Sequence, residues 1–169
     1  MLRLDVYFDF NIPTYNTLRY LYRALNSFVH KEKVNLTFRS YPLNSETHLY
    51  HQIYHFGRKE GLGILFLLDI FDLCFDKTDL NSKLFNLSIK YNFDLEKLDD
   101  VLKNNKYLKV IKNQQEYAGL LKVNVVPTLI FSHGFKLTNE ASQQEIKDTL
   151  IKVYEKDSGI EYCEDDCDR

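Results

Sequence analysis

Three groups of residues in this chain have types and spacings that chemistry could use. His48, His51 and His55 recur at i, i+3 and i+7, so on a helix they share one face. Three imidazoles with an open fourth position would suit zinc. The outer two would stand about 10 Å apart at the ~1.5 Å rise of a straight helix, too far for one ion, and no partner carboxylate is identifiable. The spacing therefore predicts a solvated polar face and no metal. Cys163 and Cys167 are spaced C-x-x-x-C, which is not the C-x-x-C of a redox turn, and Glu161, Glu164, Asp165, Asp166 and Asp168 surround them. Those carboxylates disfavour the thiolate that redox chemistry needs. The third group is Phe8-Asp9-Phe10-Asn11-Ile12-Pro13-Thr14-Tyr15. Here an apolar strand runs into a helix whose first turn holds a proline, the place where a missing N–H costs least. Thr14 and Tyr15 then sit at a helix N-terminus, with its partial positive charge. Tyr15 can donate a hydrogen bond to a ligand, but without a nearby base its hydroxyl is a weak acid and a worse nucleophile.

Ordinary elements must position these residues. Leu2 to Phe8 alternates and is rich in strand formers. Leu18, Leu21, Tyr22, Leu25 and Phe28 follow at helical spacing, and Lys33 to Arg39 alternates again. One crossover helix between two strands predicts a right-handed βαβ unit with parallel strands. From about 45 to 120 the signal is helical. Ser45 is the expected cap of one helix, Leu62 to Phe75 is nearly all apolar, as a helix buried among others would be, and Asp79 and Asp94 open two more. The fifth carries Tyr107, Val110, Ile111, Tyr117, Ala118 and Leu121. Val123 to Phe131 reads as a strand, with Pro127 within it. Ser132-His133-Gly134 is a turn into a short strand at Phe135 to Leu137, and Gln143 to Tyr154 is a last helix. The order β-α-β, helical block, β-β-α predicts an α/β protein of thioredoxin-like fold with an inserted all-helical subdomain. One domain is expected over 1–155, followed by a disordered acidic tail over 156–169 that could touch a basic partner. Gly57, Gly61 and Gly63 do not follow a strand and lack the Lys-Ser/Thr of a phosphate loop, so a helix–helix turn accounts for them. Cys74 lies in the apolar helix and reads as a core residue.

The totals bound the function. The chain has 169 residues, 44% of them hydrophobic and 14% aromatic, enough to bury a core without disulfides. A formal net charge of −2 argues against a nucleic-acid binder, which needs a basic stripe. No apolar stretch is long enough to span a bilayer, so no membrane partner is expected. The opening residues show no secretory-signal pattern, which makes the cytoplasm the expected location.

Val6 to Leu25 resembles the opening of DsbA-like thioredoxin-fold proteins, particularly their FrnE-like dithiol-disulfide isomerase branch, in which a strand enters an F-D-x-x-C-P-x-C turn. Asp94 to Phe131 resembles the late helices of that family and its G-V-x-G-V-P segment, with Lys122 and Val125 in place of the glycines. The resemblance implies a cis bond at Pro127, facing the turn. It also implies that the backbone of Val126 pairs with extended peptide or glutathione. It puts the two cysteines of the family at Ile12 and Tyr15, so dithiol exchange at this turn is absent. The serine that glutathione transferases of the kappa type keep at the first position is Ile12 here as well. Ile12, Pro13, Thr14 and Tyr15 are thus a degenerate motif without a catalytic residue, and Thr14, Tyr15, Val126, Pro127 and Thr128 are the expected ligand-binding residues. The expected function is a non-redox binding or adaptor protein for a peptide, protein partner or small thiol ligand. No cofactor is implied beyond glutathione. The alternative is a thiol-disulfide oxidoreductase, isomerase or glutathione-dependent enzyme, which would need Cys163 and Cys167 at the groove, or Thr14 or Tyr15 in the role of the missing serine.

Overall fold

A computed structural model of the chain describes residues 1–163. Strand β1 (Leu2–Phe8) and strand β2 (Val34–Ser40) pair in parallel, Leu2 opposite Val34 through Phe8 opposite Ser40. Helix α1 (Ile12–Ser27) is the crossover between them. Strand β3 (Thr128–Phe131) pairs antiparallel with β1, and β4 (Lys136–Thr138) pairs antiparallel with β3. The sheet order is β2-β1-β3-β4, so β1 is central and buried on both faces.

Alternation along β1 sorts its side chains. Leu2, Leu4, Val6 and Phe8 enter the main core with α1 and helix α7 (Gln143–Ser158). Tyr7 enters a smaller cluster with Ala118, Val123 and Val126 on the opposite face. Between β2 and β3 stand the five inserted helices: α2 (His48–Lys59), α3 (Ile64–Phe75), α4 (Leu80–Tyr91), α5 (Leu95–Lys103) and α6 (Leu108–Leu120). Their starts follow the expected chemistry in two cases. The Asp79 carboxylate accepts the Ser82 N–H, and the Asp94 carboxylate accepts those of Glu96 and Lys97. The helix expected from Ser45 instead opens as a 3-10 turn capped by Asn44, and α2 proper begins at His48.

Two further boundaries differ. The strand expected from Val123 starts only at Thr128, because Pro127 has no N–H for the ladder; the Val126–Pro127 bond is cis. The last helix runs to Ser158, past the boundary expected at 155, and Gly159 ends it in the left-handed conformation at φ +68. Beyond it the Tyr162 ring stacks on Phe28 at 5.3 Å, and the Tyr162 hydroxyl accepts the Val29 N–H. The first part of the acidic segment is therefore packed against the end of α1. Residues 164–169, with Cys167, lie outside the described residues.

The turn between α2 and α3 is closed by a glycine contact. A Cβ at Gly57 would lie 2.0 Å from Cε1 of Phe66. Phe66 cannot easily yield, being buried with its ring against Tyr91 and Phe93. Alanine within a helix ordinarily gains about 1 kcal/mol over glycine, but overpacking costs about 1–3 kcal/mol. Gly57→Ala is therefore expected to lower stability in urea unfolding. An increase would show that α3 does not seat Phe66 on this glycine.

Candidate functional site

The strand-to-helix turn takes its shape from Asn11 and Pro13. Asn11 is the N-cap of α1, with extended backbone, and its side-chain oxygen accepts the Thr14 N–H at 2.9 Å. Its own N–H donates to the Asp9 carbonyl. Pro13 has no N–H to offer. The first turn thus keeps one donor, the Ile12 N–H, without a partner among the described residues. This helix end can offer a ligand one backbone hydrogen bond rather than the usual set.

The expected site residues separate by exposure. Ile12 is 64% exposed and projects an apolar side chain at the turn. Pro13 is exposed as well. Thr14 is wholly buried and its hydroxyl has no partner among the described residues. Tyr15 is half-buried, with its ring on Phe71 and Phe75 of α3 and the Arg19 guanidinium over it at 5.6 Å. Val126, Pro127 and Thr128 are buried, and the Thr128 hydroxyl donates to the Val125 carbonyl at 2.7 Å. The pairing of Tyr7 with Thr128 brings the cis bond to the end of β1 that feeds α1. A ligand at this turn would meet Ile12, Pro13, Tyr15 and backbone, not the hydroxyls of Thr14 and Thr128. Clefts of about 450, 320, 260 and 140 Å³ are lined by other residues, apart from the α1 residues that follow Tyr15 in the smallest.

Among the described residues one cysteine lies near the turn. The Cys74 sulfur lies 4.0 Å from the Phe10 carbonyl. Burial, with a smaller push from Asp9, raises its pKa above the ordinary thiol value, which leaves it a poor thiolate. Cys163 is exposed but follows Tyr162, which is stacked at the opposite end of α1. That helix has 16 residues, which at ~1.5 Å each puts about 24 Å between the stacking site and the turn.

The histidine face is not solvated. His51 and His55 are buried, while His48 is only partly exposed. His51 and His55 belong to a hydrogen-bonded line under the turn that also uses Asp9 and Ser40. His51 Nε2 lies 3.0 Å from the Asp9 carboxylate, His51 Nδ1 lies 2.8 Å from the Ser40 hydroxyl, and that hydroxyl lies 3.0 Å from His55 Nε2. One assignment satisfies every atom in this line. His51 donates from Nε2 to the carboxylate and accepts the Ser40 O–H at Nδ1. The Ser40 oxygen then accepts the N–H of His55. Both rings are neutral in this arrangement. Asp9 also accepts the N–H groups of Phe10 and Leu43. Burial alone would raise the Asp9 pKa, but the hydrogen bonds from His51, Leu43 and Thr47 overcome it and hold the carboxyl below its ordinary value. Burial lowers His51 against the opposing pull of Asp9, and lowers His55 to about 4. No cluster of metal-ligating residues occurs among the described residues.

An Asp–His–Ser line has the connectivity of an activated nucleophile. Ser40 is wholly buried, however, and its proton is committed to His51. It braces the turn rather than attacking a substrate. Sequence reasoning missed Asp9 and Ser40 as partners of the histidines. The available signal was their place: Asp9 follows β1 and Ser40 ends β2, so both sit at the carboxyl edge of parallel strands, where α/β sheets gather polar groups.

No family model matches the chain, and no curated protein sequence matches it. Solved structures do. A probable DsbA oxidoreductase from Streptomyces coelicolor superposes with a TM-score of 0.79 at 14% identity, over 96% of this chain and 94% of that one. The α-DsbA1 protein of Wolbachia pipientis gives 0.72 at 14% identity, over 92% and 86%. A thioredoxin-like oxidoreductase from Silicibacter pomeroyi gives 0.68 at 15% identity, over 91% and 87%. The mixed four-stranded sheet with five helices inserted between its halves is the DsbA-like thioredoxin fold.

Proposed function

We propose that this protein is a non-redox binding or adaptor protein of DsbA-like fold. Its ligand is an extended peptide, a segment of a protein partner or a small thiol compound such as glutathione. The ligand is held between the Ile12–Tyr15 turn and the Val126–Pro127 segment. One observation carries this reading: the turn has the architecture of a reactive helix N-terminus and no thiol, and the cysteine beside it is buried with its thiolate disfavoured. Exposed Ile12 and the Tyr15–Phe75 edge favour an apolar side chain on the ligand, while the single free N–H at Ile12 and the backbone beside the cis bond favour an extended main chain. Between the two ligand classes, peptide is favoured, because a thiolate would find one donor at this helix end.

Titration with reduced glutathione and with a library of extended peptides, followed by amide NMR, tests the proposal. Saturable shifts at Ile12, Tyr15 and Val126 with peptide are expected, and weaker ones with glutathione. Absence of shifts at millimolar ligand would remove the groove. The named activity of the structural neighbours supports a second reading, thiol–disulfide exchange, which needs a thiol at the turn. Equilibration against a glutathione redox couple separates the two. A measurable exchange that disappears in Cys163→Ser would favour the enzyme, and its absence favours the binder.

A further inference from the structure

The face of the sheet opposite the main core carries a charged cleft that plays no part in the turn. Alternation puts Arg3, Asp5 and Tyr7 of β1 on this face, and Arg39 of β2 pairs opposite Tyr7. Asp5 is buried and holds two guanidiniums. Arg3 grips one carboxylate oxygen, and Arg39 Nε donates to the other at 3.1 Å. Two cations on one anion leave a net positive charge. Arg39 uses only its Nε–H in this contact, so both its NH₂ groups are without a partner among the described residues. They open into a cleft of about 260 Å³ between β2 and α6, lined by Arg39, Val110, Asn113, Gln114 and Tyr117.

The other groups in the cleft are donors with an apolar wall. The Gln114 side-chain oxygen is occupied by the Ser40 N–H at 2.7 Å, which leaves its NH₂ for the cleft. Asn113 is exposed and makes no side-chain hydrogen bond among the described residues. Val110 and the Tyr117 ring supply apolar surface. Beneath them the Tyr7 hydroxyl is buried without a partner among the described residues, with Asp5, Arg39, Tyr117 and Arg3 as its charged and polar neighbours. A buried hydroxyl beside an underused guanidinium is an arrangement that a bound acceptor would complete.

We infer that this cleft binds a carboxylate. The Arg39 NH₂ groups form a planar fork that matches two carboxylate oxygens. The amides of Asn113 and Gln114 flank the fork, and Val110 with Tyr117 covers a short apolar body. The single net positive charge suits a monoanion. The volume lies just below the usual range for small-ligand sites, about 300–1,000 Å³, so it fits a small acid or the last residue of a peptide chain. Both sources present the same chemistry.

The test uses the full-length protein with three probes: N-acetylglycine, acetyl-Gly-Ala-Val-Gly with a free carboxyl terminus, and the same peptide amidated. NMR shifts of the Asn113 and Gln114 side-chain amides report occupancy, so the result is independent of anything bound at Tyr15. Saturable shifts are expected with at least one free-acid probe and none with the amide. Saturation by N-acetylglycine alone would identify a free small acid as the ligand class, and saturation by the peptide would identify a chain terminus. Arg39→Lys, which keeps charge and loses the fork, is expected to weaken binding about tenfold, the scale of a charged hydrogen bond. Exposed Asn113→Ala should weaken it severalfold and decides the matter should Arg39→Lys fail to fold. Equal binding of the amidated peptide, unchanged affinity in Asn113→Ala, or no saturation at tens of millimolar would overturn the assignment.

Discussion

Replacing His51 with phenylalanine is expected to cost about 3 kcal/mol of folding stability, the upper range for removing the donor of a buried hydrogen bond to a charged acceptor. The substitution is close to neutral in shape. His51 already sits in an aromatic cage, its ring centroid 4.9 Å from that of Phe8 and 4.9 Å from that of Phe10, so a benzyl group loses little packing. What it loses is polar. The Asp9 carboxylate, only 2% exposed, would keep the N–H groups of Phe10 and Leu43 and the contact with Thr47 but lose its donor from α2. Ser40 would lose the acceptor for its proton. A buried carboxylate stripped of its imidazole donor outweighs the apolar gain of the ring. Against a total of about 5–15 kcal/mol for an ordinary domain, the loss is a large share. Urea unfolding measures it. Asp9→Asn in the His51→Phe background removes the stranded charge and should restore part of the loss, so the double mutant is more stable than the two single losses added together. A His51→Phe protein within 1 kcal/mol of the parent would show that the line through Asp9, Ser40 and the two histidines does not brace the turn. Because Asp9 and Phe10 lead directly into Asn11, the variant should also weaken any ligand bound at Ile12 and Tyr15.

The parts of the fold that follow local rules were legible in the sequence. The alternation of Leu2 to Phe8, Pro13 in the first turn of α1, and the caps at Asp79 and Asp94 each depend on residues within a few positions of one another. The thioredoxin-like order follows from them, and the solved neighbours share it. The candidate site was legible in outline only. Asp9, Ser40 and His51 are distant in sequence and meet because β1 and β2 pair in parallel and α2 lies across their ends, a relation that no periodicity records. For the same reason the histidine face reads as solvated when the helix is considered alone. Polar residues on one helix face signal solvent or a buried partner equally well, and only the facing elements decide. The shortened β3 and the packing of Tyr162 on Phe28 are tertiary as well. Exposure at the turn shows a further limit. Thr14 and Tyr15 are adjacent in sequence, yet one hydroxyl is buried without a partner among the described residues and the other belongs to a ring packed on α3, because α1 turns Thr14 toward the core with Thr17 and Leu18.

Acid should undo the same line of residues, and its two histidines set the pH range. Burial, then the neighbouring His51 and Arg58, holds His55 at about 4 in the folded chain against 6.5 ordinarily. Below 6.5 the unfolded chain binds a proton that the folded chain refuses until about 4. The contribution of His55 is therefore fully present above 6.5 and is lost as the pH falls toward 4, by about 3 kcal/mol. His51 is lowered too, chiefly by burial, so it adds to the loss in the same direction. Asp9 is held below its ordinary value, so its contribution is present above about 3.8 and is lost only at more acid pH. The fall between 6.5 and 4 thus belongs to the imidazoles. His55→Gln tests this, since its amide can still donate to Ser40 but does not titrate. Stability measured by urea unfolding from pH 7.5 to 4.5 should fall steeply in the parent and more gently in His55→Gln, the remaining slope reporting His51. A parent curve that is flat over this range, or a slope that His55→Gln leaves unchanged, would mean that protons do not enter the line at these rings. The expected slope has a consequence for the turn: its brace holds at neutral pH and loosens in acid, so ligand binding at Ile12 and Tyr15 should weaken over the same interval.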